Sequence, residues 1–321
     1  MAPPALLLFT LQSPLPVRYP HPSKPALVIP PLLHRSLHTA LDLPSPSASL
    51  TDGSLRIPSV ADLAVPESRQ NVNGSALADA VNDTELTVKI HLVSSLEAGV
   101  SRASWVQEAL AILAESKKLG KPDNLLVGFK GIDYRGVKTC TSEAAPGTEG
   151  ISPVLEDEVL HVWSDLFSRG GLVKEGGKLG TLYAPRGLLE KLAEREEKGI
   201  SANVLDTPDC HHLPKDYTGF ARDNGIALWA SGGGEGSDPI PAPHLQNVLV
   251  EFLPKLKAAF PAIASSLDKV NETVPVDGDG KWDKGVELGV KVRWVLGFTV
   301  LSKVRNVVED KGYIIAADFT K

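Results

Sequence analysis

A glycine-rich segment, SGGGEGSD at residues 231–238, has the composition best suited to binding an anion. It follows a predicted strand and precedes a predicted helix. Gly232, Gly233 and Gly234 carry no side chains that would keep a phosphate from their backbone N–H groups. Successive N–H groups near the start of a helix can hold an anion. These three glycines are therefore a candidate cofactor-binding loop, and a surface loop without a ligand is the alternative.

Two other segments contain residue types that bind metals, but neither has the spacing of a metal site. Cys210, His211 and His212 are adjacent, and adjacent side chains seldom point at one ion; no second Cys/His group is spaced to complete four ligands. The segment DGDGKWD at 277–283 begins like a calcium-binding loop, yet its twelfth position is Leu288 instead of glutamate. The sequence therefore predicts no metal site.

The elements that would position these residues alternate between strands and helices. Apolar, β-branched segments predict strands at 86–94, 124–129, 178–182, 202–206 and 226–230, with further candidates at 292–300 and 313–317. Helices are predicted at 104–120, after Ser152, Pro185 and Pro214, and at 243–259, where Pro254 predicts a kink. This alternation is typical of parallel βα units and favours a barrel. An open doubly wound sheet is the alternative, although no G-x-G-x-x-G follows the first strand.

Composition narrows the class of protein. The chain has 321 residues, 42% of them hydrophobic, which is ordinary for a globular protein. Its net charge of -6 argues against a protein that follows nucleic-acid phosphates. Its two cysteines, Cys140 and Cys210, make no disulfide framework, so we expect a reducing, cytoplasmic compartment. The sequence contains no apolar run of about 18 residues, so we predict no membrane span.

The N-terminal segment carries a different composition. Residues 1–41 are rich in proline, leucine and serine and contain three basic residues but no acid. A transit peptide, a disordered leader and a misassigned start are the three interpretations. We expect disorder across 1–53, and a barrel with a C-terminal partner-binding tail across 54–321.

Two segments resemble aldo-keto reductases, namely GKLGTLYAPRGLLEKLAE at 177–194 and the stretch at 207–234. Within that superfamily the chain is more similar to the regulatory, or modifier, subunits of glutamate–cysteine ligase. That similarity also includes NLLVGF at 124–129 and WVLGFTVLSKVRNVVEDKGYII at 294–315. The resemblance implies an α/β fold with a TIM-like (β/α) barrel of aldo-keto reductase type that is incomplete at its N-terminus.

The resemblance also implies that the groups of reductase chemistry are missing. Such enzymes use a tyrosine to protonate the carbonyl oxygen, tuned by a lysine and an aspartate, and a histidine to orient the substrate. The tyrosine should precede the first matched strand, but no tyrosine lies between Tyr19 and Tyr134. Gly128 or Phe129 occupies the place of the histidine, and Lys89 lies near the place of the lysine.

The residues that clamp the nicotinamide are replaced as well. The Ser–Asn pair of the reductases falls on Leu182 and Tyr183, and their glutamine falls near Val204. We therefore expect a non-catalytic protein without a cofactor. An NADP-dependent aldo-keto oxidoreductase that uses Tyr183 or Tyr134 as proton donor is the alternative, and a free-standing scaffold is a third interpretation.

By resemblance, the partner is the catalytic subunit of glutamate–cysteine ligase, and no nucleic acid or membrane is involved. The family tends to carry a cysteine in the loop that contains Cys210, so this thiol could pair with a thiol of the partner. The tail has an apolar and basic character, which marks many contact surfaces, and a closing strand or helix of the barrel is the alternative. We predict partner contacts at Trp294, Arg305, Lys311 and Tyr313.

Overall fold

The computed structural model describes residues 3–11, 28–63, 84–94, 101–134, 151–194, 199–205, 213–230, 236–276, 282–283, 285–304 and 306–320. Within these ranges the strands are β1 Leu6–Phe9, β2 Ser49–Thr51, β3 Ser54–Ile57, β4 Thr84–Leu92, β5 Asn124–Phe129, β6 Lys178–Leu182, β7 Ala202–Leu205, β8 Ala227–Ala230, β9 Val290–Ser302 and β10 Val307–Phe319. The α-helices are α1 Ile29–Leu41, α2 Arg102–Lys117, α3 Pro153–Arg169, α4 Arg186–Glu194, α5 Lys215–Asp223, α6 Ala242–Ala259 and α7 Ala264–Leu267. Two short 3₁₀ turns occupy Val60–Asp62 and Pro261–Ile263.

The strands form one sheet in the order β2-β3-β1-β10-β9-β4-β5-β6-β7-β8. Strands β4 to β8 run parallel, and β1 is parallel to β3. The long hairpin β9–β10 lies antiparallel between β4 and β1 and joins the two parts. The α/β class and all five strands predicted between 86 and 230 are confirmed, as are the two later candidate strands.

Closure of the sheet into a barrel is not confirmed. The described strands have two ends, at β2 and at β8, and the sheet is open between them. Antiparallel β9 lies beside β4, where a (β/α) barrel would place another parallel strand. The segment expected to be a tail is thus an internal part of the sheet.

Helices cover the sheet because its central strands are apolar on both faces. Every residue of β5 is buried, as expected for a parallel strand with cover on each side. Along β9, Trp294 belongs to the core formed with α2, α3 and α4, whereas its neighbour Val295 belongs to the core formed with α1 and α6. Adjacent strand residues point to opposite faces, so the two cores lie on opposite sides of the sheet.

The N-terminal region differs from the disorder that we expected across 1–53. Leu6, Leu7, Leu8 and Phe9 of β1 are at most 1% exposed and pair with β10 and β3. Helix α1 begins with prolines in its first turn and buries one face against α6. Sequence separation hid this arrangement, since the strand that β1 joins lies some three hundred residues away.

Two further findings concern helices. Pro254, where the sequence predicted a kink or a break, lies inside α6, and the helix continues through it from Ala242 to Ala259, so it is not broken there. Among the residues that the structure describes, no helix combines the length and the apolar character needed to cross a membrane.

The burial of β1 makes a stability prediction. Leu8→Ala should lower the free energy of unfolding by about 2–5 kcal/mol, because Leu8 is 0% exposed and its removal leaves a cavity. The control Leu43→Ala, at a side chain 49% exposed, should cost about 1 kcal/mol or less. Urea denaturation of both variants measures the difference, and equal, small effects would mean that β1 is not part of the folded core.

Candidate functional site

A pocket opens on the face of β4–β8 that points away from α2, α3 and α4. Its volume is about 270 Å³, just below the range of about 300–1,000 Å³ usual for small-molecule sites. Residues of β4 and β5 line the pocket together with residues of β7 and β8, so the half-sheet formed by β4–β8 must curl. The lining residues are Glu85, Thr87, Lys89, Asn124, Leu126, Val204, Trp229 and Ala230.

One wall of the pocket is a hydrogen-bonded polar group. The amide nitrogen of Asn124 donates to Glu85 Oε1 at 2.6 Å and to Thr87 Oγ1 at 3.0 Å. Lys89 adds an ammonium on the same face of β4. The polar groups on this wall are a carboxylate, a hydroxyl, an amide and an ammonium, and the amide already bridges the carboxylate and the hydroxyl.

An aromatic side chain also lines the pocket. Trp229 lines the pocket from β8, and the Lys178 ammonium lies 5.1 Å from the centre of a Trp229 ring. This distance is within the range of a cation–π contact. The indole face is therefore partly engaged by the protein's own lysine.

A small apolar cluster fills the remainder of this face. It consists of Leu126, Leu182, Tyr183, Ala202 and Val204, all at most 3% exposed. A β-carbon added at Gly128 would lie 3.0 Å from two Leu182 side-chain atoms. Leu182 thus fills the space beside Gly128, one of the two residues, with Phe129, to which the resemblance assigns the place of the substrate-orienting histidine.

The two tyrosines that the oxidoreductase alternative needs lie in the protein interior. Tyr183 is 0% exposed, has a φ of 60°, and its ring lies 6.1 Å from that of His91. Tyr134 is 7% exposed and stacks on Tyr217, whose hydroxyl donates to the Ala184 carbonyl. Neither tyrosine is among the residues that line the pocket.

The described end of the glycine-rich loop is bound to the turn after β5. Ser237 donates from both its N–H and its hydroxyl to the Asp133 carboxylate, each at 2.8 Å, and accepts from the Gly131 N–H at 3.0 Å. Lys130 forms an ion pair of 2.8 Å with Asp238. Because the Ser237 amide already binds an internal carboxylate, this end of the loop does not offer it to a phosphate.

His244 lies in the first turn of α6, close to that loop end. Burial lowers the pKa of His244, and the charge of Asp238 opposes this effect in part. The candidate cofactor-binding glycines Gly232, Gly233 and Gly234 lie outside the described residues.

The residues predicted to contact a partner are placed differently from one another. Trp294 is 0% exposed, and its indole N–H donates to Glu108 Oε2 at 2.9 Å, so its side chain stabilises the core and does not contribute to a surface. Lys311 is exposed and Tyr313 is half-buried. Cys210 and Arg305 lie outside the described residues.

A group that the sequence analysis missed joins α1 to α6. His34 and His38 are one helical turn apart, and Glu251 faces both of them. A signal was present in the sequence, because His-x-x-x-His lies in an apolar stretch that begins with two prolines. The disorder expected for this region concealed it, and Glu251 is too distant in sequence to be recognised as a partner.

The comparisons identify no relative: no family model, no curated protein and no solved structure matches the chain. Membership of the aldo-keto reductase superfamily or of the regulatory subunits therefore stays a prediction.

The packing at Gly128 generates the prediction for this face. Gly128→Ala should lower the free energy of unfolding by about 1–3 kcal/mol, because the added methyl group overpacks against Leu182. In a Leu182→Ala background the same change should cost much less, and denaturation of the four proteins of this cycle measures the coupling. The control is Gly120→Ala, where an added β-carbon has no neighbour within 4 Å. Additive effects of the two substitutions would contradict the packing argument.

Proposed function

We propose that the protein is a non-catalytic regulatory subunit of glutamate–cysteine ligase in the cytoplasm, acting in glutathione biosynthesis. It binds the catalytic subunit as a heterodimer, improves its use of glutamate and weakens its feedback inhibition by glutathione. The proposal is supported by the Leu182 side chain that fills the space beside Gly128, together with the resemblance of the sequence to this family. By that resemblance, Gly128 and Leu182 stand at positions where a reductase would orient its substrate and clamp a nicotinamide.

In this proposal, the βα units of the sheet derive from a reductase-type barrel. Strands β4–β8 with α2–α5 represent the retained units of a reductase-type (β/α) barrel, and β9–β10 takes the place beside β4. These retained units then serve as a scaffold. Loss of the donor, the orienting group and the amide clamp removes the groups that stabilise the transition state of hydride transfer.

Regulation follows from linkage. A subunit that binds one conformation of the catalytic subunit more tightly shifts the population towards that conformation, by no more than its differential affinity. A fivefold to 150-fold change in apparent glutamate affinity corresponds to a coupling free energy of about 1–3 kcal/mol. No residue of this chain needs to enter the site where the peptide bond forms.

The contact surface that we assign is the tip of the β9–β10 hairpin. Val304, Val307 and Val308 are 76%, 47% and 52% exposed. Lys303 is about half exposed and Lys311 is exposed, so the apolar patch has a basic rim. Apolar patches rimmed by polar residues often mark protein–protein contacts.

The backbone beside this patch also supports a contact. β1 pairs with β10 at Ile314–Ala317, whereas the described strands place only β9 beside Val307–Lys311. A partner could pack against the exposed valines on this side of β10.

Co-purification tests the proposal. The full-length chain should co-purify with the catalytic subunit and lower its apparent KM for glutamate. Val304→Asp/Val308→Asp should weaken binding at least tenfold, because it places charges in an apolar contact. The control Val154→Asp changes a side chain that is equally exposed, at 78%, but lies at the start of α3. Failure of the unmodified chain to co-purify or to alter glutamate saturation would refute the proposal.

The oxidoreductase alternative keeps one supporting observation, the position of Lys89 in the pocket wall. Titration with NADPH, followed by fluorescence and by carbonyl turnover, separates the two functions. Tight binding with turnover that Lys89→Met abolishes would establish the enzyme. Under our proposal, turnover is absent in both proteins.

A further inference from the structure

Two imidazoles and a carboxylate converge where α1 crosses α6. His34 Nε2 lies 2.8 Å from Glu251 Oε2, and His38 Nε2 lies 3.2 Å from Glu251 Oε1. The two imidazole rings have centroids 4.6 Å apart. One ligand atom from each of the three residues lies within 4.8 Å of the other two.

These separations fit a divalent ion with little movement. In a tetrahedral zinc site with bonds of about 2.0–2.1 Å, neighbouring ligand atoms are about 3.3 Å apart. The two nitrogen–oxygen distances are within about half an ångström of that value. The side chains are 40% to 54% exposed, so small rotations of their side chains can make room for the ion and for a water as fourth ligand.

A further carboxylate orients one of the imidazoles. His38 Nδ1 lies 2.9 Å from Asp42 Oδ2. Because a carboxylate accepts the hydrogen bond, Nδ1 carries a proton, and Nε2, which faces Glu251, is the nitrogen that can bind a metal ion once it has released its own proton. Carboxylate–histidine pairs of this kind orient most histidine metal ligands.

A buried aromatic ring shields one side of the imidazoles. The buried Phe252 ring meets His34 edge-on at 5.5 Å and His38 at 4.9 Å.

We propose that His34, His38 and Glu251 form a binding site for a divalent transition metal of the zinc class, with Asp42 as a positioning residue. Two imidazole nitrogens and one carboxylate suit zinc better than the hard ions magnesium and calcium. The ion joins α1 to α6 and so fastens the N-terminal helix to the body of the protein. The inference is independent of the ligase function proposed above.

Metal titration of the full-length chain, without a histidine tag and after dialysis against chelator, tests the site. Zn²⁺ should bind with a stoichiometry of one by calorimetry and raise the unfolding midpoint. Co²⁺ should give the visible absorption of a tetrahedral or five-coordinate centre. His34→Ala, His38→Ala and Glu251→Gln should each weaken binding at least tenfold, and His34→Gln repeats the test with a polar side chain.

Matched variants separate this site from others on the chain. His161→Ala removes an exposed histidine from α3 and should leave binding unchanged. Asp42→Asn should weaken binding about tenfold and shift the Co²⁺ spectrum, because it changes the orientation and basicity of His38. The proposal would be overturned if the unmodified chain bound no metal, or if the His34 and His38 variants bound it as tightly as the unmodified chain. Loss of binding in His211→Ala/His212→Ala would overturn it as well.

Discussion

Pairing of the β9–β10 hairpin with β4 on one side and β1 on the other is the constraint on which the rest of the structure depends. β9 is in register with the whole of β4, from Thr84 opposite Ser302 to Leu92 opposite Trp294. Arg293 fixes the open end of the hairpin, because its guanidinium binds Asp318 at 2.8–3.0 Å. Without this central hairpin, the parallel half-sheet and the N-terminal strands would have no common core.

The hairpin also explains why the pocket-bearing face is only partly covered. Helices α1 and α6 cover the β3, β1, β10 and β9 side of that face, and the curled β4–β8 half closes over its own apolar cluster. A buried ion pair between Lys117 of α2 and Asp310 of β10, at 3.7 Å, fixes the hairpin on the opposite face. Removing one partner of such a pair leaves an uncompensated charge, so the pair restricts how the hairpin can dock.

Local patterns in the sequence predicted the parallel strands and their helices, because each unit is a short apolar run followed by a segment of helical period. Pairing between distant segments could not be read in the same way. The burial of Leu6–Phe9 depends on β10. Trp294, where we expected a partner contact, is buried because β9 lies in the interior of the sheet. For the metal-type cluster, the spacing of His34 and His38 was readable, whereas Glu251 is brought there only by the docking of α6 on α1.

An exposed strand edge with valines would ordinarily promote aggregation, and the hairpin tip carries features that oppose it. The register between β9 and β10 shifts between Val308 and Asp310, which bends and twists the edge at that point. Lys311 places a charge directly after the shift. These features disfavour flat pairing between two copies of this chain but leave Val304, Val307 and Val308 accessible. A partner that recognises the valines and supplies acidic groups for the lysines would therefore be preferred over self-association.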